Sequence, residues 1–142
     1  MAKFFVAISD DEIASQIAHL INNHNRLYRR HNLHTIKTQP ADYFVDVVGN
    51  TVVGCVGIER YQDQIKIKHV CTHPDHRKKG IAKKLLTRVM ANTNASSFFM
   101  TIRADNVPSL LMAQSLGFFQ ESSYWHRDHF VIVMRRHIHG HH

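Results

Sequence analysis

The stretch Val70-Cys71-Thr72-His73-Pro74-Asp75-His76-Arg77-Lys78-Lys79-Gly80-Ile81-Ala82-Lys83-Lys84-Leu85-Leu86 reads as the end of a strand, a basic loop and the start of a helix. The strand begins at Ile65 and is rich in β-branched residues, which suit a pleated, half-buried surface. It ends at His73-Pro74, because proline has no N–H to offer a ladder. From Gly80 the period changes. Ile81, Leu85 and Val89 fall at i, i+4 and i+8 with Leu86 beside them, and Lys84, Thr87 and Arg88 take the opposite face. A helix N-terminus presents unpaired N–H groups and the positive end of a dipole, and Gly80 lets backbone come close to a ligand. With Arg77, Lys78 and Lys79 in front of it, this junction is a candidate phosphate cradle. The alternative is a solvated basic turn that contains a glycine.

Upstream, Lys3–Ile8 reads as a strand. Ser9-x-x-Glu12 then has the form of a capping box, and Ile13, Ile17, Leu20 and Ile21 form the buried stripe of a helix that stops near Asn22-Asn23. Residues 22–39 carry Arg26, Arg29, Arg30 and Lys37 with no acid, and a short helix is expected over Asn25 to Arg30. Tyr43 to Val48 and Thr51 to Arg60 are strands joined at Gly49-Asn50, a hairpin turn. Gly54 and Gly57 inside the second strand suggest bends or close packing. Tyr61-Gln62-Asp63-Gln64 turns the chain into the central strand, so three strands form an antiparallel meander. Downstream of the motif helix, Phe98 to Ile102 is a strand. Asp105-Asn106-Val107-Pro108 opens a helix with Leu110, Leu111 and Leu116 as its buried side, and Gly117 ends it. Phe119 to Trp125 and Phe130 to Arg136 read as a final hairpin. The expected fold class is α/β (α+β), a mixed, largely antiparallel central sheet flanked by helices.

A chain of 142 residues can bury a real core within one domain, expected over 1–136 with a His-rich C-terminal tail at 137–142. Hydrophobic content of 44% argues against disorder. No apolar run is long enough to span a bilayer, and the start, which reaches Asp10-Asp11-Glu12 quickly, does not read as a signal peptide. Cys55 and Cys71 are too few for a disulfide framework, and a reducing cytoplasm is the expected compartment. The formal charge of +7, with 13 His left uncounted, would favour a phosphate-bearing ligand, a nucleic acid or an acidic acceptor, and does not choose among them.

Arg77-x-x-Gly80-x-Ala82, following a strand that ends Val70-Cys71-Thr72-x-Pro74, resembles the acyl-CoA motif of the GNAT N-acyltransferase superfamily. Asn106-Val107-Pro108-Ser109-Leu110-Leu111-Met112-Ala113-Gln114-Ser115-Leu116-Gly117-Phe118 resembles a second signature of that family, Asn-x-x-Ala-x-x-x-Tyr-x-x-x-Gly-Phe. The resemblance covers the chain from the Ser9 helix onward and is strongest from Val70 to Phe118. It implies a GNAT-like fold and acetyl-CoA as acyl donor. Backbone groups of Val70, Cys71 and Thr72 would lie along the pantetheine arm. Arg77, Lys78, Lys79, Gly80, Ile81 and Ala82 would lie at the pyrophosphate, and Asn106 and Ser109 would add to the cofactor site.

The resemblance leaves the catalytic residues open. Where family members often have a general-acid Tyr, this chain has Ala113. Where many have a Glu base, it has Lys66 or Lys68 on one strand and Thr101 on the next. His69, Tyr124 and Ser115 are candidates to move a proton, but strand alternation groups His69 with Ile65 and Ile67. The histidines at His137, His139, His141 and His142 read as a tail, and His73 and His76 as loop residues; no metal site is expected. Tyr28 and its neighbouring arginines could be a nucleic-acid surface or a solvated basic segment.

The resemblance therefore implies an acetyl-CoA-dependent N-acetyltransferase acting on a primary amine (a small molecule, a peptide or an aminoacyl-tRNA) by direct attack in a ternary complex. It is expected to be a monomer or homodimer with no membrane partner. The competing readings are a catalytically weak or inactive CoA-binding module and a nucleic-acid-binding protein using residues 22–39.

Overall fold

A computed structural model describes residues 9–27 and 29–138. The strand expected at Lys3–Ile8 lies outside these residues, as do Tyr28, His139, His141 and His142. The elements follow in the order α1 (Asp10–His24), α2 (Leu33–Thr38), β1 (Asp42–Val48), β2 (Thr51–Tyr61), β3 (Gln64–Thr72), α3 (Ile81–Asn92), β4 (Ser97–Arg103), α4 (Val107–Ser115), β5 (Phe119–His126) and β6 (His129–His137). A short 3-10 turn, Pro74–His76, leads into the loop before α3.

The six strands form one sheet in the order β1-β2-β3-β4-β6-β5. All neighbours are antiparallel except β3 and β4, which α3 joins by a crossover. At its far edge β5 is exposed, while over β1 to β3 the sheet is buried on both faces. On one, Ile58, Ile65, Ile67 and Phe98 pack with Leu85, Leu86 and Val89 of α3 and with Ala113 of α4. On the other, Tyr43, Val45, Val52, Cys55 and Cys71 pack with Ile13, Ile17 and Ile21 of α1 and with Ile36 of α2. Leu85, Leu86 and Val89 are completely buried, and each contributes roughly 1.5–3 kcal/mol by leaving water.

Ser9 caps α1 by accepting from Glu12 N at 3.1 Å, as its spacing suggests. The short helix is displaced from its expected place. The described part of 25–30 is not helical, because α1 runs to His24 and Asn25 turns extended with its side chain donating to the Val70 carbonyl. The helix forms instead from Leu33, where Asn32 accepts from Thr35 N and Thr35 Oγ1 accepts from Asn32 N. That reciprocal Asn-x-x-Thr cap escapes a search for Ser/Thr followed by Glu/Gln.

Gly54 and Gly57 are places of close packing. A Cβ on Gly54 would lie 2.5 Å from Ile81 Cγ2 of α3, and one on Gly57 would lie 3.0 Å from the Tyr43 ring. The helix α4 departs from expectation at Leu111, which is 59% exposed; Leu110 and Leu116 are half-buried against the core and Ala113 is the fully buried residue. Strand β6 continues to His137, which pairs with Ser97, so the first histidine of the expected tail belongs to the sheet. No helix among the described residues is long and apolar enough to cross a membrane.

Candidate functional site

The parallel pairing of β3 and β4 covers only Gln64–Lys66 against Ser97–Phe99. Beyond Lys66 the strands diverge while β4 stays paired to β6 as far as Arg103. A cleft of about 550 Å³ fills the gap. Its walls are Lys66 to Val70 on one side and Met100 to Arg103 on the other, and His24 at the end of α1 with residues 25–27 after it, the α4 cap Asn106, and Ser109 and Met112 of α4 close the ends. A second groove of about 490 Å³ runs between the start of α3 and α4, lined by Thr72, Arg77, Lys78, Gly80, Ile81, Ala82, Leu111, Met112 and Ser115 among others. Met112 borders both.

The loop into α3 is built to expose backbone. Lys78 and Gly80 both have left-handed φ, +64° and +73°. Gly80 occupies the N-cap of α3, with no side chain capping the first turn and no acid within it, so the first N–H groups of the helix stay open. A Cβ at Gly80 would touch no protein atom within 4 Å, so the protein's own packing does not require glycine there; the backbone conformation and any visiting ligand do.

His69 is placed by an irregularity in β3. The register of β2 against β3 shifts between Cys55 and Gly57, and His69 takes φ +54°. This bulge breaks the alternation that groups His69 with Ile65 and Ile67. The imidazole sits against Tyr43 and His31 on the α1–α2 side of the sheet and lines the first cleft. Gln39 Nε2 donates to the Tyr43 hydroxyl at 2.5 Å, which leaves the phenolic proton for His69 Nδ1 at 2.6 Å. Burial first, and then the positive charge of Lys68 and the neighbouring His31, lowers the His69 pKa to about 4. The ring is therefore neutral at pH 7, with Nδ1 accepting and its proton on Nε2.

Charge in the cleft is one-sided. Arg26, Lys66, Lys68 and Arg103 line it, and among the described residues no Asp or Glu does. Arg26 grips Asp105 with both terminal guanidinium nitrogens, at 3.1 and 3.2 Å, and Arg103 reaches the same carboxylate at 3.5 Å. Lys68 pairs with Glu59 of β2. Lys66 makes no ion pair with any described residue.

The structure brings together most of the residues singled out in the sequence. Thr72, Arg77, Lys78, Gly80, Ile81 and Ala82 line the second groove, and Val70, Asn106 and Ser109 line the first. Asn106 also caps α4 by accepting from Ser109 N. Lys79 lines neither. The Cys71 side chain points to α1, its thiol donating to the Leu20 carbonyl at 3.7 Å, and burial pushes its pKa up to about 11. Of the proton-transfer candidates, His69 lines the first cleft. Ser115 lines the second groove with its hydroxyl donating to Met112 O, and Tyr124 stands on exposed β5 and lines neither. Arg26 belongs to the basic 22–39 segment singled out in the sequence, whereas Asn25, Arg103, Met112, Tyr43 and Gln39 were not anticipated as site residues. Of these five, Arg103 carried a signal, as a charged residue at the C-terminal end of a strand. Among the described residues, no three His, Cys, Asp or Glu side chains are grouped to hold a metal ion.

The sequence pattern of the acetyltransferase (GNAT) family matches residues 5–118. No curated protein matches the chain in sequence. Among solved structures, the yncA protein of Salmonella typhimurium, determined with its cofactor acetyl-CoA, superposes with a TM-score of 0.78 at 16% identity, covering 99% of this chain and 97% of that one. The ribosomal-protein-S18-alanine N-acetyltransferase of Escherichia coli gives 0.73 at 15% identity, over 92% and 89%. Arabidopsis thaliana NAA60, in complex with a bisubstrate analogue, gives 0.74 at 15% identity, over 95% and 96%. At these identities the likeness is one of fold.

Proposed function

Since the chain belongs to the acetyltransferase (GNAT) family, we propose that it transfers the acetyl group of acetyl-CoA to an amine by direct attack in a ternary complex. The observation that carries this reading is that the two grooves meet at Met112, in the gap where β3 and β4 part. A donor laid along the second groove would bring its thioester to the gap, and an acceptor in the first cleft would meet it there.

In this reading Arg77, Lys78 and the open N–H groups at Gly80, Ile81 and Ala82 hold the pyrophosphate, and Lys79 adds to the positive field. The backbone from Val70 to Thr72 runs beside the pantetheine arm, with Asn106 and Ser109 across from it. The amine nitrogen forms the new bond to the carbonyl carbon, the C–S bond breaks, and the proton lost by nitrogen goes to sulfur through solvent. A covalent enzyme intermediate is disfavoured at Cys71, whose thiol is protonated, buried and turned towards α1. His69 keeps Nε2–H for a group in the cleft, but a ring that binds a proton only near pH 4 is a poor base at neutral pH. Two free, buried cysteines suit a reducing cytoplasm.

Acetyl-CoA should raise the melting temperature of the protein, as any ligand of the native state does. Gly80→Leu, which puts a bulky side chain where backbone must meet phosphate, should abolish that rise. An unchanged melting curve for the parent protein in millimolar acetyl-CoA would overturn the proposal. Thiol release in the presence of amines separates an enzyme from a module that only binds the cofactor.

A further inference from the structure

Strand β5 lies at the end of the sheet, beyond β6, and every residue from Phe119 to His126 is exposed. Its composition suits pairing. Phe119, Tyr124 and Trp125 favour pleated structure, and no proline or lysine blunts the edge. Among the described residues nine large apolar side chains are exposed, and Phe119, Tyr124, Trp125 and Phe130 of this one hairpin are four of them. Trp125, 59% exposed, meets the Phe130 ring edge to face with centroids 4.9 Å apart. The direction of the backbone groups follows from β6. Ala104 N donates to Phe130 O at 2.9 Å, so Phe130 turns its backbone to β4 and Val131 turns its own to β5. Val131 faces Tyr124, and the residues either side of Tyr124 then point away from β6. The N–H and C=O of Ser123 and of Trp125 therefore form an open edge, which meets no strand among the described residues.

We infer that this edge pairs with the same edge of a second copy of the chain, antiparallel about a two-fold axis at Tyr124. An antiparallel edge can be its own complement under a two-fold axis. With Tyr124 opposite Tyr124, Ser123 of each copy lies opposite Trp125 of the other, and all of these outward groups pair, in about four hydrogen bonds. Moving the axis by one residue sets Ser123 or Trp125 against itself and forms about half as many, before the bulge at Glu121 or the turn at Arg127 interrupts the ladder. The Tyr124 axis also brings Glu121 of one copy opposite Arg127 of the other at both ends, and these opposite charges fix the alignment. It sets the small Ser123 beside the large Trp125 on one face of the sheet. The chain has a formal charge of +7, yet residues 119–128 hold Glu121 and Asp128 against the single Arg127. Two basic copies can therefore meet here without the repulsion that the Arg77, Lys78 and Lys79 loop would impose. No residue of β5 lines either groove.

Sedimentation of the full chain over a range of concentrations should show a monomer–dimer equilibrium. Ser123→Pro removes one outward N–H from each copy, and proline is tolerated on an edge strand whose N–H faces away from its neighbour. It should raise the dissociation constant by about tenfold or more, the scale of two lost hydrogen bonds, with a circular dichroism spectrum that matches the parent. Tyr124→Cys reads the register. At a non-hydrogen-bonded antiparallel pair the Cα atoms stand about 4.5 Å apart, within disulfide reach. In oxidised glutathione the two introduced thiols should join across the axis, each new disulfide reducing one glutathione disulfide to two thiols. Ser122→Cys, which lies opposite His126, should cross-link far more slowly. A monomer at every concentration, a dimer that keeps the parent's affinity in Ser123→Pro, or cross-linking of Ser122→Cys as fast as of Tyr124→Cys would each overturn the inference.

Discussion

His69 combines a left-handed backbone, a neutral ring and a wall position in a cationic cleft. Its pKa falls from the ordinary value near 6.5 to about 4 on folding, so between those values the unfolded chain binds the extra proton. Stability contributed by the neutral ring is therefore complete above about pH 6.5 and is lost as pH falls towards 4, by on the order of 3 kcal/mol. His69→Gln should flatten the fall in denaturation midpoint across that window, relative to the parent. Parallel curves for the two proteins would contradict the burial and the charge that depress this group. The position of His69 could not be read from the sequence, because a rule of alternation gives the wrong side of the sheet once a bulge shifts its phase. Gln39 and Tyr43 were silent for another reason. Each acquires its role from a neighbour remote in the chain.

Helices α3 and α4 show what the pattern of elements conveyed and where it stopped. The period of Ile81, Leu85 and Val89 located the start of α3 to within a residue, because one face is buried completely. The same reasoning misassigned Leu111 on α4, a nine-residue helix with only Ala113 fully buried, where apolar residues also face a groove. Ala113 itself stands where the family pattern has a tyrosine. It is completely buried in the core and borders neither groove, while its neighbour Met112 borders both. Ala113→Tyr should therefore overpack the core and destabilise the protein by about 1–3 kcal/mol, read as a lower midpoint in urea. An unchanged midpoint with faster turnover would show that the ring escapes into the gap and supplies a proton there. The short α2 was missed because its cap is Asn-x-x-Thr and its six residues hold a single buried side chain, Ile36, too little for any periodic signal.

At the scale of the whole molecule, the three-strand meander and the final hairpin followed from alternating segments and short turns, whereas the parallel crossover to β4 and the place of β6 between β4 and β5 did not; the motif loop pointed to one end of the central strand. The divergence of β3 from β4 was not legible, since nothing local to either strand says where their pairing ends. That divergence has a consequence for how the protein exchanges hydrogen with solvent. His73 N donates to Val53 O on the β2 side, so alternation turns the Thr72 amide the other way, towards the gap, where it meets no strand. Although β3 lies third of six strands, this part of it should behave like the rim of the sheet. In deuterium labelling followed by NMR, the Thr72 amide should exchange fast beside slow neighbours that face β2, and should slow when acetyl-CoA lies along the gap. Slow exchange at Thr72 in the free protein would mean that the two strands close on each other in solution, and the middle of the sheet would then have no built-in opening for a ligand to complete.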